Sequence, residues 1–299
     1  MKIVTIEGDS HQLVVVVPTP DVNRQLTKEF FESMKRTATF KPTIVAVESS
    51  GPEFHFSKSM NAGIKTALGF GPKYIALSND DVRPLTPEWD AKLTNTLEAH
   101  ADVAYVAPLL WQGQAISGPI VLMPSYLSIL LFTSLYNMIP TVAFSLIRTL
   151  RGLYLNLRLR GKSRGVELGT GALVNSQPFS IFKANVLKEL SGFDEEFVNG
   201  CEDFDLSLRV LERGWKIALE VDVSFEDKGS ATVGKGGFSI LYGRVTKASK
   251  QSVNNWKLLI KKRGACRYQS TLKQCAKSTL IIGDFNQRLN ASPPQTLMH

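Results

Sequence analysis

Two adjacent carboxylates follow a short apolar stretch in the first third of the chain. Residues 74 to 78 predict a buried strand, and Asn79, Asp80 and Asp81 come directly after it. Adjacent carboxylates repel each other unless a cation or a hydrogen-bond donor offsets the charge, and divalent metals that carry phosphates are the usual cations for oxygen ligands. The pattern therefore favours a nucleotide–metal site, with a solvated Asn-Asp-Asp turn before Pro84 as the alternative.

A second acidic cluster lies in the last third of the chain. Glu202, Asp203 and Asp205 fall in or just before the first turn of a predicted helix. Free N–H groups and the helix dipole favour negative charge at this position. Capping needs one or two acids, and three acids here, after three more at 194–196, exceed that need. Only the fold can bring the two clusters together.

The elements that lead to Asp80 alternate between strand and helix. Residues 12–17, 43–47 and 74–78 predict buried strands, and the helical spacing at 22–34 and 57–68 predicts the helices between them. This alternation is typical of parallel strands joined by helical crossovers. The sequence therefore predicts an α/β fold with a mostly parallel central sheet and helices on both faces.

Polar side chains follow each of these strands. Thr19 follows the first strand, Glu48 the second, and the aspartate pair the third. Parallel strands end at a common edge, and ligands of open α/β sheets bind in the crevice at that edge. We therefore expect these side chains to converge.

Length and composition predict one large domain with an appendage. The 299 residues are 43% hydrophobic, which is enough to bury a large core. We assign residues 1–235 to the main domain, with an apolar insertion at 111–165, and residues 236–299 to a basic helical C-terminal tail. Three cysteines without metal-ligand spacing and a start that lacks an export signal favour a cytoplasmic location.

The insertion suggests contact with a membrane surface. No charge occurs from residue 103 to 147, and a cationic run follows at 148–164. The longest proline-free part of the insertion, 125–139, is shorter than the roughly 20 residues that a membrane-spanning helix needs. A single crossing would also separate the two acidic clusters. We expect an interfacial segment that meets anionic head groups, and the alternative is an insertion packed on the protein's own core.

Positive charge is concentrated near the C-terminus. From Lys228 onward thirteen Lys and Arg face one acid, so this stretch carries +12 within a net charge of +8, and the remainder carries about −4. Residues 239–262 have helical spacing, which fits an amphipathic helix on an anionic membrane or a solvated basic face packed against the main domain. No nucleic-acid recognition motif accompanies the cations, so we expect no nucleic acid partner.

Five motifs occur in one order along residues 12 to 235. They are Val16-Val17-Pro18-Thr19, Asn61-Ala62-Gly63-Ile64, Leu77-Ser78-Asn79-Asp80-Asp81, Gly192-Phe193-Asp194-Glu195, and Glu202-Asp203-Phe204-Asp205-Leu206 with Arg209 and Gly214-Trp215. In wording and order they resemble the family 2 glycosyltransferases, apart from the stretch 111–165. The resemblance implies an inverting enzyme with the Rossmann-like fold of the glycosyltransferase A type.

The resemblance also implies roles for individual residues. Asp81, and less directly Asp80, would hold Mg²⁺ or Mn²⁺ against the donor diphosphate. Asp203 would be the general base that takes the proton from the acceptor hydroxyl, with Glu202 orienting acceptor or donor. The residues expected to bind the nucleotide sugar are Pro18, Thr19, Glu48, Asn61 and Asp80.

Two departures from the family pattern concern the metal. Family members often have a histidine ligand after the strand that follows the acidic helix, and this chain offers Glu226 or Asp227 there. The common Asp-x-Asp form begins with Asn79. The expected metal ligands are therefore Asp81 and Glu226.

The resemblance predicts an inverting glycosyltransferase, and the apolar insertion with its cationic run favours a peripheral location at the inner face of the cell membrane. The enzyme would move a sugar from a nucleotide-diphosphate sugar to a hydroxyl of a glycan or lipid-linked acceptor. One alternative is a non-catalytic protein that binds anionic surfaces or nucleic acid. Another is a nucleotidyltransferase on a similar sheet, which would call for a basic Gly-rich loop where this chain has Pro18-Thr19-Pro20-Asp21.

Overall fold

The structure, a computed structural model, describes residues 1–51, 54–112, 115–138, 166–167, 172–174, 178–228 and 247–284. Much of the predicted insertion and both ends of the predicted tail lie outside the described residues. The helices are α1 Gln25–Arg36, α2 Phe56–Leu68, α3 Trp89–Ala99, α4 Tyr126–Met138, α5 Ala184–Leu190, α6 Glu202–Glu212 and α7 Lys247–Ser278. The strands are β1 Lys2–Ile6, β2 Ser10–Thr19, β3 Pro42–Glu48, β4 Tyr74–Ser78, β5 Val82–Pro84, β6 Val103–Gln112, β7 Ala115–Gly118, β8 Ile120–Leu122, β9 Val166–Glu167, β10 Ala172–Val174, β11 Phe179–Lys183, β12 Lys216–Asp227 and β13 Thr279–Ile282.

The central sheet is mixed, so the prediction of a mostly parallel sheet is wrong. Its order is β1-β3-β2-β4-β11-β6-β12-β13-β9, with β5 on β12 and β7 on β6. β2 is parallel to β3 and β4, and β12 is parallel to β6 and β13. β11, however, runs antiparallel between β4 and β6, and β1 runs antiparallel at the edge beside β3.

The direction of β11 follows from where the chain re-enters the sheet. The N–H of Asn79, just after β4, donates to the carbonyl of Pro178, just before β11, at 2.9 Å. β11 therefore starts at the edge where β4 ends and must run the opposite way. A fully buried strand is apolar on both faces in either direction, so its residue pattern could not have predicted this.

Helices cover both faces of the sheet, as predicted. Buried side chains of α2, α5, α6 and α7 pack together with β2, β4 and β12 on one face. On the opposite face, buried side chains of α1 and α3 pack with the same sheet. Trp89 of α3 is the largest fully buried side chain on this face. These helices shield the central strands of the sheet from solvent on both faces.

The C-terminal stretch joins the main sheet. β13 pairs in parallel with β12 along Ile217 to Glu220, and α7 contacts α4 and α6. The division of the chain near residue 235 stays a prediction.

Helix α2 approaches the sheet closely at Gly63. A Cβ added at this position would lie 2.3 Å from Cγ1 of Val16 and 3.0 Å from Cγ2 of Val47. Both valines belong to the buried parallel strands, so neither can move without disturbing the ladder. The glycine sets the distance between α2 and the strands β2 and β3.

We expect Gly63→Ala to destabilise the protein by about 1–3 kcal/mol because the added methyl group overpacks this contact. Urea unfolding followed by circular dichroism measures the change. Gly69→Ala is the matched control, because Gly69 has φ −64° at the end of the same helix and its change should stay within about 1 kcal/mol. Equal stability of Gly63→Ala and the wild type would contradict the close approach.

Candidate active site

Three strands end side by side at the edge predicted to bind a ligand. Thr19 at the end of β2 pairs in register with Glu48 at the end of β3, and Asp80 follows β4 on the other side of β2. The N–H of Ser49 donates to the carbonyl of Thr19 at 2.9 Å. The structure thus brings together the predicted residues Thr19, Glu48 and Asp80, while Pro18 lies buried in β2 just before this edge.

Asp80 is held by three side chains of the first βα unit. Its Oδ2 accepts hydrogen bonds from Oγ1 of Thr19 at 2.7 Å and Oγ1 of Thr27 at 3.3 Å, and it pairs with Nη2 of Arg24 at 2.8 Å. The side chain of Asp80 is only 4% exposed. Hydroxyl donors and one guanidinium therefore offset a buried negative charge, which would be costly without them.

Arg24 is a site residue that sequence reasoning missed. Helix α1 starts at Gln25, later than the spacing from Val22 predicts, and Arg24 occupies its N-cap position. A basic residue at the start of a helix opposes the helix dipole, so it is unexpected there. That mismatch is the one signal in the sequence that could have drawn attention to it.

Asp81 lies beside the end of β12. β5 pairs antiparallel with β12, which puts Asp227 opposite Val82 and Glu226 opposite Arg83. The N–H of Lys228 donates to the carbonyl of Asp81 at 3.0 Å. The end of β12, where a further metal ligand was expected, is therefore next to the aspartate pair.

The described part of the chain holds no cluster of three or more His, Cys, Asp or Glu side chains that could bind a metal ion. Nη2 of Arg24 lies 2.8 Å from Oδ2 of Asp80. A guanidinium at this distance competes with a metal ion for that oxygen. These residues do not form a complete metal site by themselves. The assignment of Asp81 and Glu226 as ligands stays a prediction.

The second acidic cluster opens α6. Glu202 and Asp203 are buried, and the N–H of Phe204 donates to Oδ1 of Asp203 at 2.8 Å. The Glu202 carboxylate accepts from the N–H of Gly200. The backbone before the helix is unusual, since Asn199 and Cys201 have positive φ angles of 50° and 65°. Such conformations cost energy in residues other than glycine, so surrounding contacts must hold this turn in place.

The turn before α6 lies at the same edge of the sheet as Asp80. The side chain of Asn199 accepts from the N–H of Phe56 at 3.0 Å, and Oγ of Ser57 donates to the carbonyl of Phe197 at 3.1 Å. Phe56 and Ser57 begin α2, which follows β3 and therefore starts where the parallel strands end. Both acidic clusters thus meet the same edge. The Asp80 cluster bonds to α1 on one face of the sheet, whereas α6 packs on the other face.

The pKa values of the two residues that open this region are shifted upward. Burial raises the pKa of the Glu202 carboxyl from 4.5 to about 8, and the neighbouring Asp203 charge adds to the rise. Burial also raises the pKa of the Cys201 thiol, with further contributions from the acids of α6. Glu202 is therefore largely a neutral carboxylic acid near pH 7, which lets it donate a hydrogen bond.

Asn61 links α2 to the loop before α6. Its Nδ2 donates to the carbonyl of Phe193 and to Oε1 of Glu195, both at 2.9 Å. Its Oδ1 accepts from the N–H of Phe193 at 2.8 Å. These bonds hold the turn that leads toward Glu202, and the predicted role of Asn61 in donor binding stays a prediction.

Comparison with known proteins gives similarity in structure alone. No protein-family model matches the chain, and no curated protein matches it. Similar solved structures include S. aureus TarS (residues 1–349), with 11% identity, a TM-score of 0.43, and coverage of 73% of this chain and 61% of that chain. The same TarS piece in complex with UDP-GlcNAc has 12% identity and a TM-score of 0.42, and covers 75% of this chain and 61% of that chain.

A mutant of the Drosophila beta-1,4-galactosyltransferase 7, solved with manganese, UDP-Gal and xylobiose, has 13% identity and a TM-score of 0.39, and covers 70% of this chain and 64% of that chain. This chain therefore spans less than two thirds of the length of these structures. Because the TM-scores are below 0.5, we assign no residue of the site from this similarity.

Proposed function

We propose that this chain is a glycosyltransferase of the glycosyltransferase A type, which moves a sugar from a nucleotide-diphosphate sugar to a hydroxyl of a glycan or lipid-linked acceptor. One observation carries the proposal. The Asp80–Asp81 pair and the Glu202–Asp203 pair, far apart in the sequence, meet the same edge of the sheet and approach it from opposite faces. A sugar held between them would have a carboxylate on the side opposite its leaving group.

The reaction assigns different work to the two clusters. On the nucleotide side, Thr19 and Glu48 at the strand ends would contact the nucleoside, with Asp80 fixed behind them by Arg24. On the acceptor side, a carboxylate must take the proton of the attacking hydroxyl as the new bond forms at the sugar carbon. Attack opposite the leaving nucleoside diphosphate inverts the configuration at that carbon.

The environment of α6 favours Asp203 as the general base. Burial and the Asp203 charge keep the pKa of Glu202 high, so Glu202 carries a proton near pH 7 and cannot accept another. Of two neighbouring carboxyl groups in an active site, one that holds a proton can act as a hydrogen-bond donor while the other acts as the base. Asp203 would accept the acceptor proton, and Glu202 would orient a substrate through its O–H group.

We propose a divalent metal only as an ion that binds together with the diphosphate of the nucleotide sugar. Mg²⁺ is commonly bound by one or two carboxylates together with substrate phosphates. Asp81 and Glu226 lie at adjacent strand ends and are the residues we would test as ligands. Such an ion would neutralise charge on the leaving diphosphate.

We also propose that the protein lies at the inner face of a membrane. In α4, the side chains of Leu127, Leu130 and Leu131 are 62%, 40% and 55% exposed. The opposite side of α4 packs on α7, and the O–H of Tyr268 donates to the carbonyl of Pro124 at 2.9 Å. Three neighbouring exposed leucines on a helix anchored from behind suit a lipid surface. Within the described residues, no helix has the length and apolarity to span a bilayer.

We expect Asp203→Asn to retain donor binding and to lose transfer by about 10²–10⁴-fold, because the general base is gone. Asp81→Ala should instead weaken donor binding with Mn²⁺ present. Thermal stabilisation by a panel of nucleotide sugars, with and without Mn²⁺, reports binding, and release of nucleoside diphosphate reports transfer. The exposed Asp9→Asn is the control. Full activity in both site variants would refute the proposed function.

Glu202→Gln should change how stability depends on pH. The raised pKa means that the folded protein holds a proton that the unfolded chain releases near pH 4.5. The stabilisation from this group is fully present below pH 4.5 and is lost as the pH rises to about 8, with a slope of at most about 1.4 kcal/mol per pH unit. Glu202→Gln has no such titrating group. The free energy of unfolding of Glu202→Gln, relative to that of the wild type, should therefore increase as the pH rises across that range.

Urea titrations between pH 4.5 and 8 measure this difference. Glu32→Gln, at an exposed position on α1, is the matched control. Parallel stability curves for the wild type and Glu202→Gln would show that Glu202 is ionised throughout.

Replacing Leu127, Leu130 and Leu131 together by Ser should lower binding to anionic vesicles severalfold, because the apolar contact is removed. Co-sedimentation with phosphatidylglycerol vesicles at low salt measures it. Ile3→Ser, which removes an exposed apolar side chain far from α4 in the sequence, is the control. Wild-type protein that stays in the supernatant at low salt would contradict the membrane proposal.

A further inference from the structure

Helix α7 closes over the loop that leads into the acidic helix. Nδ2 of Asn255 donates to the carbonyl of Val198 at 2.9 Å. The rings of Trp256 and Phe204 lie 5.2 Å apart. Nζ of Lys262 lies 2.7 Å from Oε1 of Glu196. The first part of α7 therefore contacts the chain before and after the strained turn at 199–201.

Arg263 is a more deeply buried cation of α7 than its neighbour Lys262, whose side chain is 26% exposed. The side chain of Arg263 is 4% exposed, and its Nη2 donates to Oδ1 of Asp205 at 2.7 Å and to the carbonyl of the same residue at 3.1 Å. Its Nη1 pairs with Glu212, whose side chain is 12% exposed. A guanidinium is planar and fixes the direction of each of its donors, so a buried fork of this kind restrains position as well as charge.

The two partners of Arg263 lie at opposite ends of α6. Asp205 is in the first turn, two residues after Asp203, and Glu212 is the last residue of the helix. A rotation of α6 about its axis, or a shift along it, would break one of these contacts. Those are the movements that would displace Glu202 and Asp203 at the edge of the sheet.

A second arginine holds the same carboxylate from the other side. Nε of Arg209 donates to Oδ2 of Asp205 at 2.7 Å, and its Nη atoms donate to the carbonyls of Leu190 and Gly192 at 2.8 and 2.7 Å. Arg209 belongs to α6 itself, so it cannot fix the helix relative to α7. Arg263 is the described residue that joins the acidic turn to the C-terminal stretch by a buried ion pair.

We propose that Arg263 is a positioning residue of the transfer site, which holds α6 through Asp205 and Glu212 so that the Glu202–Asp203 pair faces the edge of the sheet. This proposal rests on the proposed function. Arg263 contacts no substrate in this account, and the C-terminal stretch becomes part of the catalytic unit. Its role is to set the place of two carboxylates that belong to another helix.

The test compares three variants of the full chain. Arg263→Lys keeps the charge and loses the fork. Arg263→Met combined with Asp205→Asn and Glu212→Gln removes the three buried charges of this cluster together, which avoids leaving Arg263 or its two acids as an unpaired buried ion. Arg209 loses its carboxylate partner in this variant but keeps its hydrogen bonds to the carbonyls of Leu190 and Gly192, and its side chain is 23% exposed.

Arg267→Met is the matched control, because Arg267 pairs with the same Glu212 but has a side chain that is 62% exposed. It lies four residues further along α7, beyond the kink at Gly264, which has φ 69° and ψ 165°.

Two measurements are made on each folded variant. The first is hydrogen exchange of the backbone amides at 198–206. The second is the steady-state release of nucleoside diphosphate from whichever sugar donor of a UDP-glucose, UDP-GlcNAc, UDP-galactose and GDP-mannose panel the wild type consumes. We expect both Arg263 variants to exchange these amides faster. We also expect kcat to fall by about 10–100-fold with the donor KM within twofold, since a small displacement of a catalytic group has an effect of this size.

Arg267→Met should match the wild type in both measurements. Wild-type exchange, or wild-type kcat, in folded Arg263→Lys and in the triple variant would overturn the proposal, as would a kcat loss of the same size in Arg267→Met. A parallel rise in KM would indicate a general structural role and would also overturn it. Failure of the proposed function is distinguishable, because Asp203→Asn would then retain full transfer whatever the Arg263 variants do.

Discussion

Buried negative charge at one edge of the sheet is the constraint on which the rest of this structure depends. Asp80, Glu202, Asp203 and Asp205 are each at most 9% exposed, and a carboxylate removed from water is costly unless something offsets its charge. The chain offsets these charges in different ways. Arg24 and two threonine hydroxyls surround Asp80, and Arg209 and Arg263 flank Asp205. Burial and the neighbouring Asp203 charge raise the pKa of Glu202, which favours its neutral form.

This constraint accounts for contacts between residues 247–284 and the rest of the described chain. The concentration of Lys and Arg in the C-terminal stretch fitted either a membrane surface or a basic face packed on the protein, and Lys262, Arg263 and Arg267 pair with Glu196, Asp205 and Glu212 of the same chain. Part of the positive charge of the C-terminal stretch therefore balances part of the negative charge of the remainder within one molecule. The exposed leucines of α4, rather than these three cations, carry the proposal of membrane contact.

Gly63 and Asn61 help to shape the same edge through packing and hydrogen bonds. Gly63 lets α2 lie close to β2 and β3, so that the start of α2 can meet the turn at 199–201. Asn61 ties the middle of α2 to the Gly192-Phe193 turn. A motif such as Asn61-Ala62-Gly63-Ile64 thus contributes to the site through packing and loop geometry, and its side chains need not touch a ligand to matter.

Much of the fold could be predicted from the sequence, because burial and periodicity are local properties. The β-branched runs predicted β2 and β3, the spacing around Gly63 predicted α2, and the convergence of Thr19, Glu48 and Asp80 followed from parallel strands ending together. Burial and periodicity do not reveal whether a strand runs parallel or antiparallel to its neighbours, so the sequence did not predict the mixed sheet. A buried strand such as β11 is apolar on both faces whichever way it runs.

Only the tertiary structure decided which cation meets which acid. The ion pairs between Arg24 and Asp80 and between Arg263 and Asp205 join residues 56 and 58 positions apart, and no spacing rule links them. The shifted pKa of Glu202 likewise depends on its burial beneath neighbouring elements. The sequence by itself determined that one acidic cluster follows a strand and that the other opens a helix. The two clusters reach a common edge only when distant segments of the chain pack together. The same packing brings up the arginines that pair with the buried carboxylates, because desolvation and Coulomb energies depend on distance in space.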